Sequence, residues 1–217
     1  TGHPIHCQHI SSARSVRLLR EARRRGVPIT AEACPHHISL TDEGLKTFDA
    51  NFKVNPPLRT PADIDEIIAG IADGTISILA SDHAPHATYE KEVELDQAPF
   101  GMLGLETELA VFLEILLHQR KALSLPEIIA LLTINPAKLL RLDRGTLSVG
   151  APADITILDP DHAWNYDKND SASLSRNSPF HGMSLRGRAL VTIVGGKTVW
   201  DLENGFQIGR ASCRERV

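Results

Sequence analysis

The chain has 217 residues, 42% of them hydrophobic, with three cysteines and a formal net charge of −4. That length supports one large domain or a core with a small second unit, and the negative balance argues against a nucleic-acid or anionic-membrane surface. No run reaches the roughly 18 apolar residues of a transmembrane helix, no signal-peptide pattern is present, and unpaired cysteine spacing fits a reducing cytoplasm, the expected location.

The sequence opens without methionine on Thr1-Gly2-His3-Pro4-Ile5-His6 and reads as a piece cut at its N-terminal side. A strand is expected from His3 to His9. Ser11 or Ser12 can cap a following helix that runs to Arg25 and stops at Gly26. Pro28 to Cys34 reads as a second strand, ending at Pro35-His36-His37. Thr60-Pro61-Ala62-Asp63 is a strong helix start: a capping hydroxyl, proline in the first turn and an acid beside the N-terminus. Ile64, Ile67, Ile68 and Ile71 then share one helix face, and Gly74 ends it.

The run Ile76-Ser77-Ile78-Leu79-Ala80 is apolar and rich in β-branched residues, as in a strand covered on both faces of a parallel sheet. It switches at once to Ser81-Asp82-His83-Ala84-Pro85-His86. In a (β/α) barrel the C-terminal ends of the strands carry the chemistry, and an aspartate there can ligate a metal and pass a proton. A polar loop with Asp82 capping a helix is the plainer alternative. A helix from about Leu105 to His118 follows, then another opened by Ser124 with Glu127 in capping-box spacing. This βαβα order predicts a parallel α/β sheet or barrel.

After about Leu142 glycines and prolines punctuate short strand-like pieces such as Asp154 to Leu158. Ala189 to Val194 and Lys197 to Trp200 flank Gly195-Gly196, a two-residue hairpin signal, and Asp167 to Ser178 reads as a long polar loop. The expected organisation is therefore a partial barrel over residues 1–142 and a small β unit over 143–207. Residues 208–217 lack periodicity and read as a non-native tail.

Five blocks occur in order: His9-Ile10-Ser11-Ser12, Thr30 to His37, Lys53-Val54-Asn55-Pro56-Pro57-Leu58-Arg59, Ser81 to His86, and Pro99-Phe100-Gly101-Met102-Leu103-Gly104-Leu105-Glu106-Thr107. Together they resemble the long, bacterial-type dihydroorotases of the amidohydrolase superfamily, from Thr1 to about Gln207. The Asn55 block and His86 resemble dihydroorotase more than hydantoinase, dihydropyrimidinase or allantoinase.

The resemblance implies the C-terminal part of a (β/α)₈ metal-dependent hydrolase barrel with two metal ions, usually zinc. It implies reversible cyclisation of N-carbamoyl-L-aspartate to dihydroorotate in pyrimidine synthesis. His9 matches the metal-binding histidine of the sixth strand. Asp82 matches the metal-binding aspartate of the eighth, which is also the acid/base that passes a proton to the ring nitrogen during ring opening. Asn55, His86 and the backbone at Phe100 and Gly101 match substrate-contacting positions.

The same resemblance implies that a His-x-His pair, a bridging carboxylate, a further histidine and a substrate-gripping arginine lie upstream of this chain. The chain alone is therefore expected to be inactive. His36, His37 and His83 are assigned no direct role, His6 is expected to line the core, and Cys7 and Cys34 read as small buried apolar residues. The expected ligand is a small molecule, and a homo-oligomer or a complex with aspartate transcarbamoylase is the assembly the resemblance suggests. A non-catalytic partner subunit of that transcarbamoylase, and a binding module without chemistry, stand as the readings from other classes.

Overall fold

The computed structural model describes residues 2–206, so the expected tail at 208–217 lies outside the described residues. Three strands form a parallel sheet in chain order: β1 (Ile5–Cys7), β2 (Ile29–Ala33) and β3 (Ile78–Leu79). Ile5 pairs with Ile29, and Glu32 with Ile78. The strands are shorter than their apolar runs. His9 and Asp82 adopt positive φ angles of 54° and 48°, which turns the chain out of the extended conformation soon after β1 and β3.

Helices cross between these strands. In α1 (Ala13–Arg24) the Ser12 hydroxyl caps the first turn, and Val16 and Leu19 are buried. After the short α2 (Pro35–Ser39) comes α3 (Pro61–Ala72), where the expected capping hydroxyl of Thr60 and the acid Asp63 form a reciprocal capping box. Asp63 also accepts from the Ala13 amide at 2.8 Å, so one carboxylate serves the N-termini of both helices. The isoleucine face of α3 (Ile64, Ile67, Ile68 and Ile71) is buried with Val16, Leu19, Ala31 and Ala33 in the principal core.

The short α4 (Thr88–Lys91) lies in the loop region beyond β3, and α5 (Glu108–Phe112) follows. The helix expected to reach His118 continues past Phe112 as a π-helix over Leu113–Gln119, whose wider turn brings Gln119 Nε2 to Glu114 Oε1, five residues back, at 3.1 Å. Ser124 and Glu127 open α6 (Leu125–Leu132) as their spacing predicts, and α7 (Ile134–Leu140) follows.

The last part forms a four-stranded antiparallel sheet: β4 (Ile155–Asn165), β5 (Ser184–Val194), β6 (Lys197–Asp201) and β7 (Gly205–Phe206). Gly195 and Gly196 both have positive φ, as a tight hairpin between β5 and β6 requires. The α5–π segment is the wall shared by two cores. Phe112, Leu113 and Leu116 enter the principal core, whereas Ala110 and Val111 join Tyr166, Phe180 and Leu185 in the second. Arg186 of β5 clamps that wall through Glu114, its Nε and Nη2 donating to the two carboxylate oxygens at 2.9 and 2.8 Å. Among the described residues no helix is long and apolar enough to cross a membrane.

Candidate active site

The ends of the three parallel strands bring several polar side chains into one place. His9 Nε2 lies 3.4 Å from Asp82 Oδ1, and His36 Nε2 lies 3.6 Å from Asp82 Oδ2. On its other side His9 Nδ1 sits 2.9 Å from Glu32 Oε1, while Glu32 Oε2 accepts from His6 Nε2 at 2.9 Å. His6 Nδ1 in turn pairs with the Thr30 hydroxyl at 2.8 Å. A carboxylate at Nδ1 fixes the proton there and leaves the Nε2 lone pair of His9 facing Asp82. Cys34 Sγ lies 3.2 Å from His9 Nδ1.

Donor atoms from His9, Cys34 and Asp82 lie within 4.8 Å of one another, as do donors from Cys34, His36 and His37. Nε2 of His36 and Nδ1 of His37 are buried without a hydrogen-bond partner, whereas His37 Nε2 donates to the Pro56 carbonyl at 2.9 Å. Two groups that share Cys34 thus offer nitrogen, sulfur and carboxylate donors able to hold a metal ion, and the unpaired imidazole nitrogens lie in the second of them. The residues present therefore fit a cation.

Burial drives His36 down to about 2 and His37 down to about 4, so both rings are neutral at physiological pH. The hydrogen bond to Glu32 raises His9 above the ordinary histidine value against the desolvation that opposes it. Burial pushes Asp82 up and His9 pulls it back, leaving a net rise. Burial would also raise Glu32, but the bonding and the charges of His9 and His6 together outweigh it and hold the carboxyl low. The Cys34 thiol is pushed up by burial.

His86, Phe100 and Gly101 form a second group. The segments 82–86 and 100–104 run together through a parallel bridge between His83 and Met102 and a bond from the Ala84 amide to the Met102 carbonyl at 2.9 Å. His86 Nε2 donates to the Phe100 carbonyl at 2.9 Å. The Gly101 amide donates to the Lys53 carbonyl at 2.9 Å, and its own carbonyl accepts from Lys91 Nζ at 2.9 Å. Gly101 has φ +128°, and a Cβ there would come within 2.5 Å of the Ala84 side chain, so only glycine fits.

Lys53 Nζ donates to the carbonyls of Leu95, Asp96 and Ala98 and stands 4.7 Å from the Phe100 ring centre. A cleft of about 1080 Å³ opens beside it, lined in part by Phe48, Phe52, Lys53, Leu95 and Phe100. Asn55 is exposed, and its turn is tied toward the centre by the bond between Pro56 and His37.

Sequence patterns single out His9 and Asp82 but not what surrounds them. Glu32 carries no role in the sequence reading, although a lone acid between Ala31 and Ala33 in an apolar strand is a signal. His83 proves to be a structural acceptor, since its Nδ1 takes the amides of Gly104 and Leu105 at 3.1 and 3.3 Å. His6 is a hydrogen-bonding support of Glu32 rather than plain core lining. Cys34 is buried as expected, yet it stands among the candidate ligands.

Residues 2–199 match the Amidohydrolase family. The chain belongs to that family. Among curated relatives it is 47% identical over 199 residues to the dihydroorotase of Geobacter sp. strain M21, covering 92% of this chain and 46% of that protein. It is 49% identical over 199 residues to the dihydroorotase of Pelotomaculum thermopropionicum, with the same coverage. This amidohydrolase chain thus spans about half the length of the curated relatives it matches.

Among solved structures it superposes on the L-hydantoinase (dihydropyrimidinase) of Arthrobacter aurescens with a TM-score of 0.84 and 32% identity, over 91% of this chain and 45% of that one. The dihydropyrimidinase of Brevibacillus agri superposes with a TM-score of 0.86 at 24% identity, over 91% and 45% of the two chains, a likeness of fold alone. The mixed α/β architecture with three parallel strands accords with part of a (β/α) barrel.

Proposed function

We propose that this chain is the C-terminal part of a dihydroorotase, a cytoplasmic zinc enzyme of pyrimidine biosynthesis that interconverts N-carbamoyl-L-aspartate and dihydroorotate. The observation that carries the reading is Asp82 beside the open Nε2 of His9, in a chain that shares nearly half its residues with dihydroorotases. His9 and Asp82, with Cys34 in the same group, are the residues here that would hold a cation. A bound zinc would supply Lewis acidity toward the cyclic amide and an acidified water near neutral pH.

Asp82 is the proton carrier. In ring opening the amide carbon gains an oxygen and its bond to the ring nitrogen breaks. The proton lost by the attacking water passes to an Asp82 oxygen and from there to the departing nitrogen. Glu32 keeps His9 in one tautomer throughout. His86 holds a proton on Nε2 that can turn from the Phe100 carbonyl to a substrate carboxylate. Asn55 and the backbone at Phe100 and Gly101 complete the substrate contacts in this reading. The residue blocks divide the chain into a barrel part over 1–142 and an attached β unit over 143–207.

The test uses the full-length protein. Asp82→Asn keeps the shape and an oxygen donor but cannot shuttle a proton, so turnover of dihydroorotate should fall by about 10³-fold or more with the fold intact. His86→Ala should chiefly raise KM. The 217-residue chain by itself should not turn over. Near-normal turnover in the Asp82 variant would place the acid/base elsewhere.

Hydantoin hydrolysis is the second reading, favoured by the superposition on L-hydantoinase, and assaying dihydroorotate and hydantoin side by side decides between them. A full-length protein that turns over neither, yet binds aspartate transcarbamoylase, would be the non-catalytic partner instead.

A further inference from the structure

Asn177 comes from the polar stretch between β4 and β5, far in sequence from either functional group, and is 3% exposed. Its Oδ1 accepts from the His86 amide at 3.1 Å. Its Nδ2 donates to the Ala84 carbonyl at 2.9 Å and to the Gly101 carbonyl at 3.2 Å. Its own carbonyl accepts from the Leu103 amide at 2.9 Å. All of these bonds fall on the two segments that carry His86 and the Phe100-Gly101 backbone.

The chemistry of the position calls for a carboxamide. One side must accept from an amide and the other must donate to two carbonyl oxygens. Asparagine offers both from a short, stiff side chain. Aspartate could still accept from His86, but its second oxygen would face two carbonyl oxygens. Alanine would take these partners from the half-buried His86 amide and Ala84 carbonyl, while the Gly101 carbonyl would keep only Lys91.

We infer that Asn177 is a positioning residue for the substrate-contacting edge: it sets the spacing between His86 and the Phe100-Gly101 backbone, and through it the affinity for the cyclic substrate. The inference rests on the proposed substrate contacts of those residues. The antiparallel sheet thereby gains a part in recognition, since the loop between two of its strands supplies the clamp.

The experiment compares full-length enzyme carrying Asn177→Ala or Asn177→Asp with the unsubstituted enzyme. For Asn177→Ala, KM for dihydroorotate should rise about tenfold or more while kcat changes by less than about threefold. Hydrogen exchange should quicken at the His86 amide, while β2 amides keep their protection. Asn177→Asp should raise KM as well but keep the His86 amide protected, because the acceptor remains.

A purely structural role would lower stability and leave KM unmoved. An active enzyme with unchanged KM in both variants overturns the inference. Should the alanine variant fail to fold, the aspartate variant decides by the same KM criterion. If the unsubstituted enzyme turns over no dihydroorotate, the dihydroorotase reading fails and this inference falls with it, a result distinct from an active enzyme indifferent to Asn177.

Discussion

Replacing Glu32 with alanine asks how firmly the histidines of the centre are held. Glu32 is 6% exposed and lies 2.9 Å from both His6 Nε2 and His9 Nδ1. A hydrogen bond to a charged group is worth about 1.5–3 kcal/mol. His6 makes such a bond, whereas His9 meets Glu32 Oε1 as an ion pair; with the two side chains 17% and 25% exposed, the lower end of that range applies to the bond and about 1 kcal/mol to the ion pair.

With a contribution from the space left by the side chain, Glu32→Ala should lower the unfolding free energy by about 3–4 kcal/mol. Glu32→Gln keeps the shape and one acceptor and should cost about 1–2 kcal/mol. Urea unfolding at neutral pH, followed by circular dichroism, reads both. With a slope of about 2 kcal/mol per molar, the midpoint should fall by about 1.5–2 M for alanine and about half that for glutamine. An alanine variant within about 0.5 kcal/mol of the unsubstituted chain would refute the reasoning, because the short contacts would then carry no net energy. A glutamine variant worse than alanine would refute it differently, by showing that the site rejects a neutral amide.

Three further outcomes follow from other parts of the chain. Arg186→Ala should destabilise the joint between the π-helix and β5. Because Arg186 holds the Glu114 carboxyl below the ordinary range, its contribution is present above about pH 4.5 and lost as pH falls through the depressed value, so unfolding curves of variant and parent should converge in acid. Glu108 is pushed up to about 7 by burial and by the Glu32 charge, so ionising it weakens the fold progressively between about pH 4.5 and 7. Glu108→Gln should therefore gain about 1–2 kcal/mol at pH 8, after discounting for its partial exposure, and nothing below about pH 4.5; thermal melts across that range check it. Phe112→Ala, at a fully buried position in the shared wall, should cost about 3–5 kcal/mol by urea unfolding.

Much of this architecture is legible without coordinates, because some signals are local. The Thr60-Asp63 and Ser124-Glu127 pairs mark helix starts whose bonds span three residues, and the isoleucines of α3 declare their face by spacing alone. Gly195-Gly196 marks its hairpin for the same reason. His9 and Asp82 could be singled out because each follows an apolar run, and their ordered neighbours resemble a known family.

Glu32 is different. What it does depends on the pairing of β1 with β2, which sets His6 against Thr30 and brings the other His6 nitrogen to the carboxylate, and no pattern within one strand encodes that. Asn177 is harder still. It stands among serines and asparagines in a loop that looks merely polar, and its partners lie beyond the other sheet. The π-helix lacks a signature as well, since its apolar residues continue the spacing of an ordinary helix.

The left-handed backbone at His9 and Asp82 bears on how this chain can change over time. A side chain with a Cβ pays about 1–2 kcal/mol for such a conformation, somewhat less for aspartate, whereas glycine adopts it freely and asparagine readily. Selection for folding alone would therefore push both positions toward glycine or asparagine, and such replacements would make the chain more robust as they removed the imidazole and the carboxylate from the centre. Under the roles proposed for His9 and Asp82, a lineage that kept the fold but lost that chemistry should record the loss first at these two positions, before any erosion of the cores beneath them.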